Sequence, residues 1–204
     1  MLETIIPRTV NLARWQLLPE PEMSDEDFLA LCQANPDMRL ERTAEGVVIV
    51  MPPAGAETSR KNLNLAFQVV AWAQRNGTGE TFESSGGFTL PNGAIRAPDV
   101  AWIRRERWDT LTSAQQAGFA PLCPDFVIEL RSATDRLRNV QLKLEEYIAN
   151  GALLGWLIDP QTRTVNVYRL GRPVETLDRP TEIRGDPELP GLMVDLAQVW
   201  GLDG

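Results

Sequence analysis

Histidine is missing altogether from the 204 residues. The commonest general base and metal ligand is therefore out of play, and any chemistry must rest on carboxylates, lysine, hydroxyls or a metal that they hold. Cysteine is nearly as scarce, with Cys32 and Cys123 alone. Two thiols without an imidazole are too few for a structural zinc site. They leave a disulfide open, but two lone cysteines fit a reducing compartment better. No apolar run reaches membrane-spanning length, since the longest near-apolar window, Leu63 to Ala73, is interrupted by Asn64 and Gln68. The first residues, Met1-Leu2-Glu3-Thr4-Ile5-Ile6, lack the segments of a signal peptide. A cytoplasmic address with no membrane partner is the expectation. Low-complexity tracts and internal repeats are also absent.

Positive charge is in deficit: the formal net charge is −8 at pH 7. That excludes tight non-specific binding to nucleic acid, which depends on many lysine and arginine contacts to phosphate. The charge is nonetheless uneven. Arg104, Arg105 and Arg107 form one basic group, and Arg131, Arg136, Arg138 and Lys143 another. The stretch with Glu175, Asp178, Glu182, Asp186, Glu188 and Asp195 is acidic on balance, despite Arg172, Arg179 and Arg184. Such runs read first as solvated surface.

What is present suits one well-buried core: 43% of the residues are hydrophobic, enough for a globular chain of this length. We expect one domain over residues 1–204, with residues 1–22 as an extended, proline-bearing N-terminal arm. Ser24 reads as a helix N-cap with Asp27 at the capping-box position. Asn35-Pro36-Asp37 ends that helix, and Arg39–Thr43 with Val47–Met51 reads as a hairpin. A long helix is expected over Glu57–Asn76, closed by Gly77. Leu63, Ala66, Phe67 and Val70 fall on one of its faces and Leu65, Val69 and Trp72 on another, which predicts a largely buried helix.

Short strands follow over Thr81–Ser84 and Gly87–Leu90. The turn Pro91-Asn92-Gly93 then leads to a strand over Ile95–Ile103. A polar helical stretch near Ser113–Ala117 precedes a strand over Phe126–Leu130. A third helix starts near Thr134 or Asp135 and stops at Asn150-Gly151. Leu153–Ile158 and Thr164–Tyr168 are two further strands. The pattern is α/β in the α+β sense, with a mixed sheet.

Two Pro-Asp steps run into apolar strands: Pro98-Asp99-Val100-Ala101-Trp102-Ile103 and Pro124-Asp125-Phe126-Val127-Ile128-Glu129-Leu130-Arg131. A glutamate inside the second strand is costly unless something pairs with it. Alternation places Asp125, Val127, Glu129 and Arg131 on one face and Phe126, Ile128 and Leu130 on the other, toward the core. On the following helix Leu137, Val140, Leu144, Tyr147 and Ile148 form the buried stripe. Lys143 stands at its border, within reach of Glu129.

Two carboxylates converging at a sheet edge can hold Mg²⁺, and a neighbouring lysine can position water or stabilise phosphate charge. Arg131 stays protonated and can only stabilise charge. The plainer alternative is structural: Asp125 caps a turn and Glu129 forms a buried pair with Arg131 or Lys143. Asp159, before Pro160, reads as a turn residue.

The ordered motifs resemble a known family. They are Arg39-Leu40-Glu41, Gly46-Val47-Val48-Ile49-Val50-Met51, Pro53-Ala54-Gly55, Ala97-Pro98-Asp99-Val100-Ala101 and Arg107-Trp108. Then come Pro124 to Ser132, Lys143-Leu144-Glu145-Glu146-Tyr147, Gly151, Trp156-Leu157-Ile158-Asp159-Pro160 and Leu189-Pro190-Gly191. From about Met23 to Met193 the chain resembles the Uma-two family of restriction-endonuclease-like proteins. Single motifs are weak, but their shared order is specific.

The resemblance implies the PD-(D/E)xK nuclease fold, a mixed central sheet flanked by helices with an N-terminal helix and hairpin. It also implies Asp99 and Glu129 as metal-binding acids for Mg²⁺ or Mn²⁺, with Glu57 as an auxiliary acid. The lysine expected two residues after the second acid is Arg131 here, and family members supply it from the following helix, which points to Lys143. Ser132-Ala133-Thr134 also departs from the family's Ser-Pro-Ser at the start of that helix. A Mg²⁺-dependent endonuclease acting on DNA, working as a homodimer, is the implied function. The alternative is a non-catalytic dimeric binding or regulatory module on the same fold.

Overall fold

The computed structural model describes residues 16–17 and 23–201. Gln16–Leu17 form a short strand, β1; the rest of the arm expected over residues 1–22 lies outside the described residues. Helix α1 (Asp25–Ala34) starts at the expected cap: Ser24 accepts from the Asp27 backbone N–H while the Asp27 carboxylate accepts from that of Ser24. The expected hairpin is β2 (Arg39–Arg42) and β3 (Val48–Met51). Helix α2 (Ala56–Asn76) ends at Gly77, whose φ of 62° closes the last turn in the left-handed region that glycine favours. Strands β4 (Gly79–Glu83) and β5 (Phe88–Thr89) follow.

One strand was expected over Ile95–Ile103, but the chain makes two, β6 (Ile95–Arg96) and β7 (Val100–Arg104). Pro98 has no N–H to give a ladder, so pairing stops at Ala97-Pro98-Asp99. The two pieces then join different sheets. β6 lies between β2 and β5, in the five-stranded order β1-β3-β2-β6-β5. β7 joins the central sheet and leads into the short helices α3 (Arg105–Trp108) and α4 (Ser113–Ala117). Asp99 therefore stands where the chain passes from one sheet to the other.

The central sheet continues with β8 (Phe126–Leu130), β9 (Leu154–Asp159), β10 (Thr164–Arg169) and β11 (Glu175–Asp178), in the order β11-β10-β9-β8-β7-β4. β8 and β9 are parallel and every other neighbour pair is antiparallel, so the sheet is mixed. The parallel step is bridged by α5 (Leu137–Ala149). This helix begins later than the expected Thr134 or Asp135. The Asp135 carboxylate is occupied in accepting from the Ser132 N–H at 2.8 Å, which closes a turn ahead of the helix. Gly155 lets α5 lie close on β9: a Cβ there would come within 2.6 Å of Leu144 Cδ1.

Both faces of β8 are buried. Phe126, Ile128 and Leu130 face one core with Trp156, Leu65 and Val69; Val127 faces another with Val140, Leu144 and Tyr147. Glu129 shares the α5 side with Val127, as strand alternation requires. Helix α2 is less buried than its two apolar stripes suggested. Leu65, Val69, Trp72 and Ala73 are buried, whereas Leu63 and Phe67 are 72% and 68% exposed. The central sheet covers only one side of a helix laid on it.

The acidic C-terminal stretch folds as β12 (Glu182–Arg184), β13 (Met193–Asp195) and α6 (Ala197–Trp200). It clasps α2, with Gln68 exchanging hydrogen bonds with the Asp195 backbone and Trp72 Nε1 donating to the Pro190 carbonyl at 3.1 Å.

Candidate active site

The antiparallel register pairs Val100 with Ile128, which brings Asp99, one residue ahead of β7, alongside the end of β8. Asp99 Oδ2 accepts from the Leu130 N–H at 2.8 Å, and Oδ1 accepts from Asn62 Nδ2 of α2 at 3.0 Å. Among the described residues no lysine or arginine lies within ion-pair distance of it. Burial pushes its carboxyl above the ordinary aspartate value, opposed by the Leu130 N–H and by the fields of Lys143 and Arg39.

Glu129 lies beside it and is 7% exposed. Lys143 Nζ, from α5, approaches Glu129 Oε1 at 2.8 Å, and the Tyr147 hydroxyl, one helical turn further on, donates to the same oxygen at 3.2 Å. Burial raises the Glu129 carboxyl to about 7, with the charges of Asp99 and Glu41 adding and Lys143 opposing. Lys143 is pushed the other way from a buried lysine's usual course. Desolvation would lower it, but Glu129 and Glu41 together hold its proton more firmly than water would.

Glu41 is the residue that sequence reasoning missed. It comes from β2, in the other sheet, and is 2% exposed. Its Oε1 accepts from Lys143 Nζ at 3.0 Å and from the Ala97 N–H at 3.1 Å, and its Oε2 accepts from Arg96 Nη1 at 3.2 Å. Desolvation acts against its charge, but Lys143 and Arg96 outweigh it and hold the carboxyl below its ordinary value. Arg96 in turn pairs with Glu146 at 2.6 Å. A weak sequence signal for Glu41 existed. The strand Arg39-Leu40-Glu41-Arg42 has a single apolar residue, so a paired charge is what it can bury.

The five candidates divide. Asp99, Glu129 and Lys143 converge. Arg131 leaves the sheet edge in another direction: its Nη1 pairs with Asp159 Oδ2 at 2.7 Å, and its Nε donates to the Asp135 carbonyl at 3.2 Å. Glu57 is solvent-exposed at the start of α2 and pairs with Lys61 at 2.7 Å. Asp159, read as a turn residue, also accepts from the Gln161 N–H at 2.9 Å and is 1% exposed.

The donors suit a hard divalent cation. Asp99 and Glu129 offer carboxylate oxygens, and the buried Oδ1 of Asn62 has no hydrogen-bond partner. Acid is also in excess: ion pairs join Glu41, Glu129 and Glu146 to Arg96 and Lys143, while Asp99 beside them has no ion-pair partner among the described residues and feels Lys143 and Arg39 only from farther off. Among the described residues no three acids or thiols gather closely enough for an all-protein cage. Such a set fits a hydrated divalent cation that takes few ligands from the protein.

Known proteins share the family and the fold. The family description "Uma2: Putative restriction endonuclease" matches residues 25–197. The fold is similar to the crystal structure of "a putative nuclease belonging to DUF820" from Anabaena variabilis ATCC 29413. The TM-score is 0.72 at 21% identity, covering 88% of this chain and 98% of that one. No curated protein matches the chain.

Proposed function

The chain belongs to the Uma2 family, and on that premise we propose that it is a Mg²⁺- or Mn²⁺-dependent endonuclease that hydrolyses phosphodiester bonds of DNA. The observation that carries this reading is the convergence of Asp99, Glu129 and Lys143 at the junction of two sheets, with acid in excess of base. Asp99 and Glu129 are the metal-binding acids. A bound Mg²⁺ would polarise a phosphate oxygen and make water a better nucleophile near neutral pH.

The chain's own residues do the rest. The Leu130 N–H fixes one oxygen of Asp99 and leaves its charge in place. Lys143 is held protonated by its two glutamates, so its role is to stabilise negative charge on the phosphate rather than to act as a base. Glu41 retains Lys143 when Glu129 is engaged elsewhere. Glu57 and Arg131 would join only by turning from Lys61 and Asp159.

The test is plasmid nicking with Mn²⁺. Wild-type protein should convert supercoiled DNA to open circles, and Glu129→Ala and Lys143→Met should not. Equal nicking by all three would mark a contaminant and end the reading.

One observation favours the non-catalytic module: Lys143 already closes both Glu41 and Glu129 into a self-sufficient ion network. In that case the nicking assay stays blank and the network is structural. Either role is compatible with a homodimer, which the exposed Leu63 and Phe67 on α2 support. Sedimentation of Phe67→Glu at half the wild-type mass would test that pairing. The free thiols Cys32 and Cys123 support a cytoplasmic setting. The core that α2 shares with α6 supports treating the chain as one domain.

A further inference from the structure

Helix α2 sends one side chain to Asp99, and it is not the acid at the helix start. Glu57 and Asn62 are five residues apart, so they point about 140° away from each other around the helix. Asn62 instead continues the stripe of Leu65, Val69, Trp72 and Ala73 that α2 presses on the sheet, one turn nearer the N-terminus. It is the polar member of an otherwise apolar face. A carboxylate can only accept, so the amide nitrogen of Asn62 must face Asp99, where it donates at 3.0 Å. The amide oxygen is thereby turned from Asp99, buried, with no donor among the described residues. A buried acceptor left in that state costs about 1–3 kcal/mol, and apolar residues at the other stripe positions show that the face does not need an amide to pack.

We propose that Asn62 is the contribution of α2 to the cation site: its amide nitrogen orients Asp99 and its amide oxygen serves the hydrated cation. This rests on the metal-dependent reading above. It makes Asn62 a positioning residue, acting where the fold resemblance placed Glu57. Adding a negative charge at this position has two opposed effects. Without metal, an aspartate would set a second carboxylate against Asp99 in place of an amide donor, which is unfavourable. With metal, it would offer a harder, anionic oxygen.

The experiment is Mn²⁺ titration of the full chain by calorimetry, with melting temperature measured in EDTA, for wild type, Asn62→Ala, Asn62→Asp and Asn64→Ala. Asn64, on the same helix, is the control, since its amide bonds to Gln68 of α2 and Gln198 of α6, away from Asp99. The expected result is at least roughly tenfold weaker Mn²⁺ binding for Asn62→Ala. Asn62→Asp should bind more tightly than wild type yet melt lower in EDTA, and Asn64→Ala should bind as wild type does. If the alanine variant does not fold, the direction of change in Asn62→Asp decides. Wild-type affinity in both Asn62 variants, or weaker binding by the aspartate, overturns the inference and leaves the metal-dependent reading standing. Absence of Mn²⁺ binding by wild type overturns both.

Discussion

The two Pro-Asp steps lead into neighbouring strands of one sheet, yet their aspartates end in different company. β7 and β8 are antiparallel, so Asp99 and Asp125 stand at opposite ends of the pair. Asp125 is saturated: its Oδ2 accepts from the Arg104 N–H at 2.9 Å and its Oδ1 meets Arg107 at 3.0 Å. Asp99 receives two neutral donors and no cation, and burial raises its carboxyl. The same dipeptide thus makes a closed structural joint at one end and an unneutralised acid at the other. Motif alone did not separate them; the difference lies in whether the facing element carries arginine. An acid that the fold buries without a counter-charge is the better functional candidate.

The comparison can be broken most forcefully at the lysine. Lys143→Met leaves Glu129 and Glu41 buried without their shared cation, which should cost about 3–5 kcal/mol in urea unfolding. Adding Glu129→Gln to it should recover part of the loss. If Lys143→Met alone is as stable as wild type, the buried network described above does not exist in solution.

The two aspartates should then respond in opposite ways. Asp125→Ala orphans the Arg104 N–H and should cost about 1–3 kcal/mol, with nicking per folded molecule retained. Asp99→Asn should abolish nicking while stability holds or rises. Its new amide can accept from Leu130 and, once the Asn62 amide turns over, donate to the Asn62 oxygen. Similar stability losses in both variants would erase the distinction between the two steps.

Acidity sharpens it further. Glu129 has an ordinary value of 4.5 and a folded value of about 7, so between them the folded chain binds the extra proton. Stability from this group therefore falls as pH rises through that window, and the penalty is complete above about 7. In EDTA, wild type should lose ground to Glu129→Gln between pH 5 and pH 8; parallel urea midpoints across that range would contradict the burial argument. The smallest effect belongs to Glu57. Its exposed carboxylate makes Glu57→Gln indistinguishable from wild type in melting temperature and nicking, and a clear loss of nicking would restore it as the auxiliary acid.

Much of this was legible in the sequence because it depends on local rules. The capping box at Ser24, the hairpin after it, the Gly77 stop and the α5 stripe with Lys143 at its border all follow from spacing over a few residues. Two misreadings came from competition beyond that range. Pro98 split an apolar run because its halves belong to different sheets, and Leu63 and Phe67 stayed exposed because α2 is covered on one side only. Glu41 was missed for the same reason. Its partners Lys143 and Arg96 reach it through the meeting of two sheets, which periodicity within one strand does not report.

The contact between Glu41 and Lys143 joins residues 102 apart in the chain. Asp99 and Asn62 are 37 apart, and they meet only once α2 has docked on the sheet. Long closures cost more entropy than local ones, so the cluster depends on tertiary structure that no single segment supplies. A chain released short of α5 would carry Glu41, Asp99 and Glu129 with no lysine to hold them together. Whatever the cluster does, it can do only in a finished molecule.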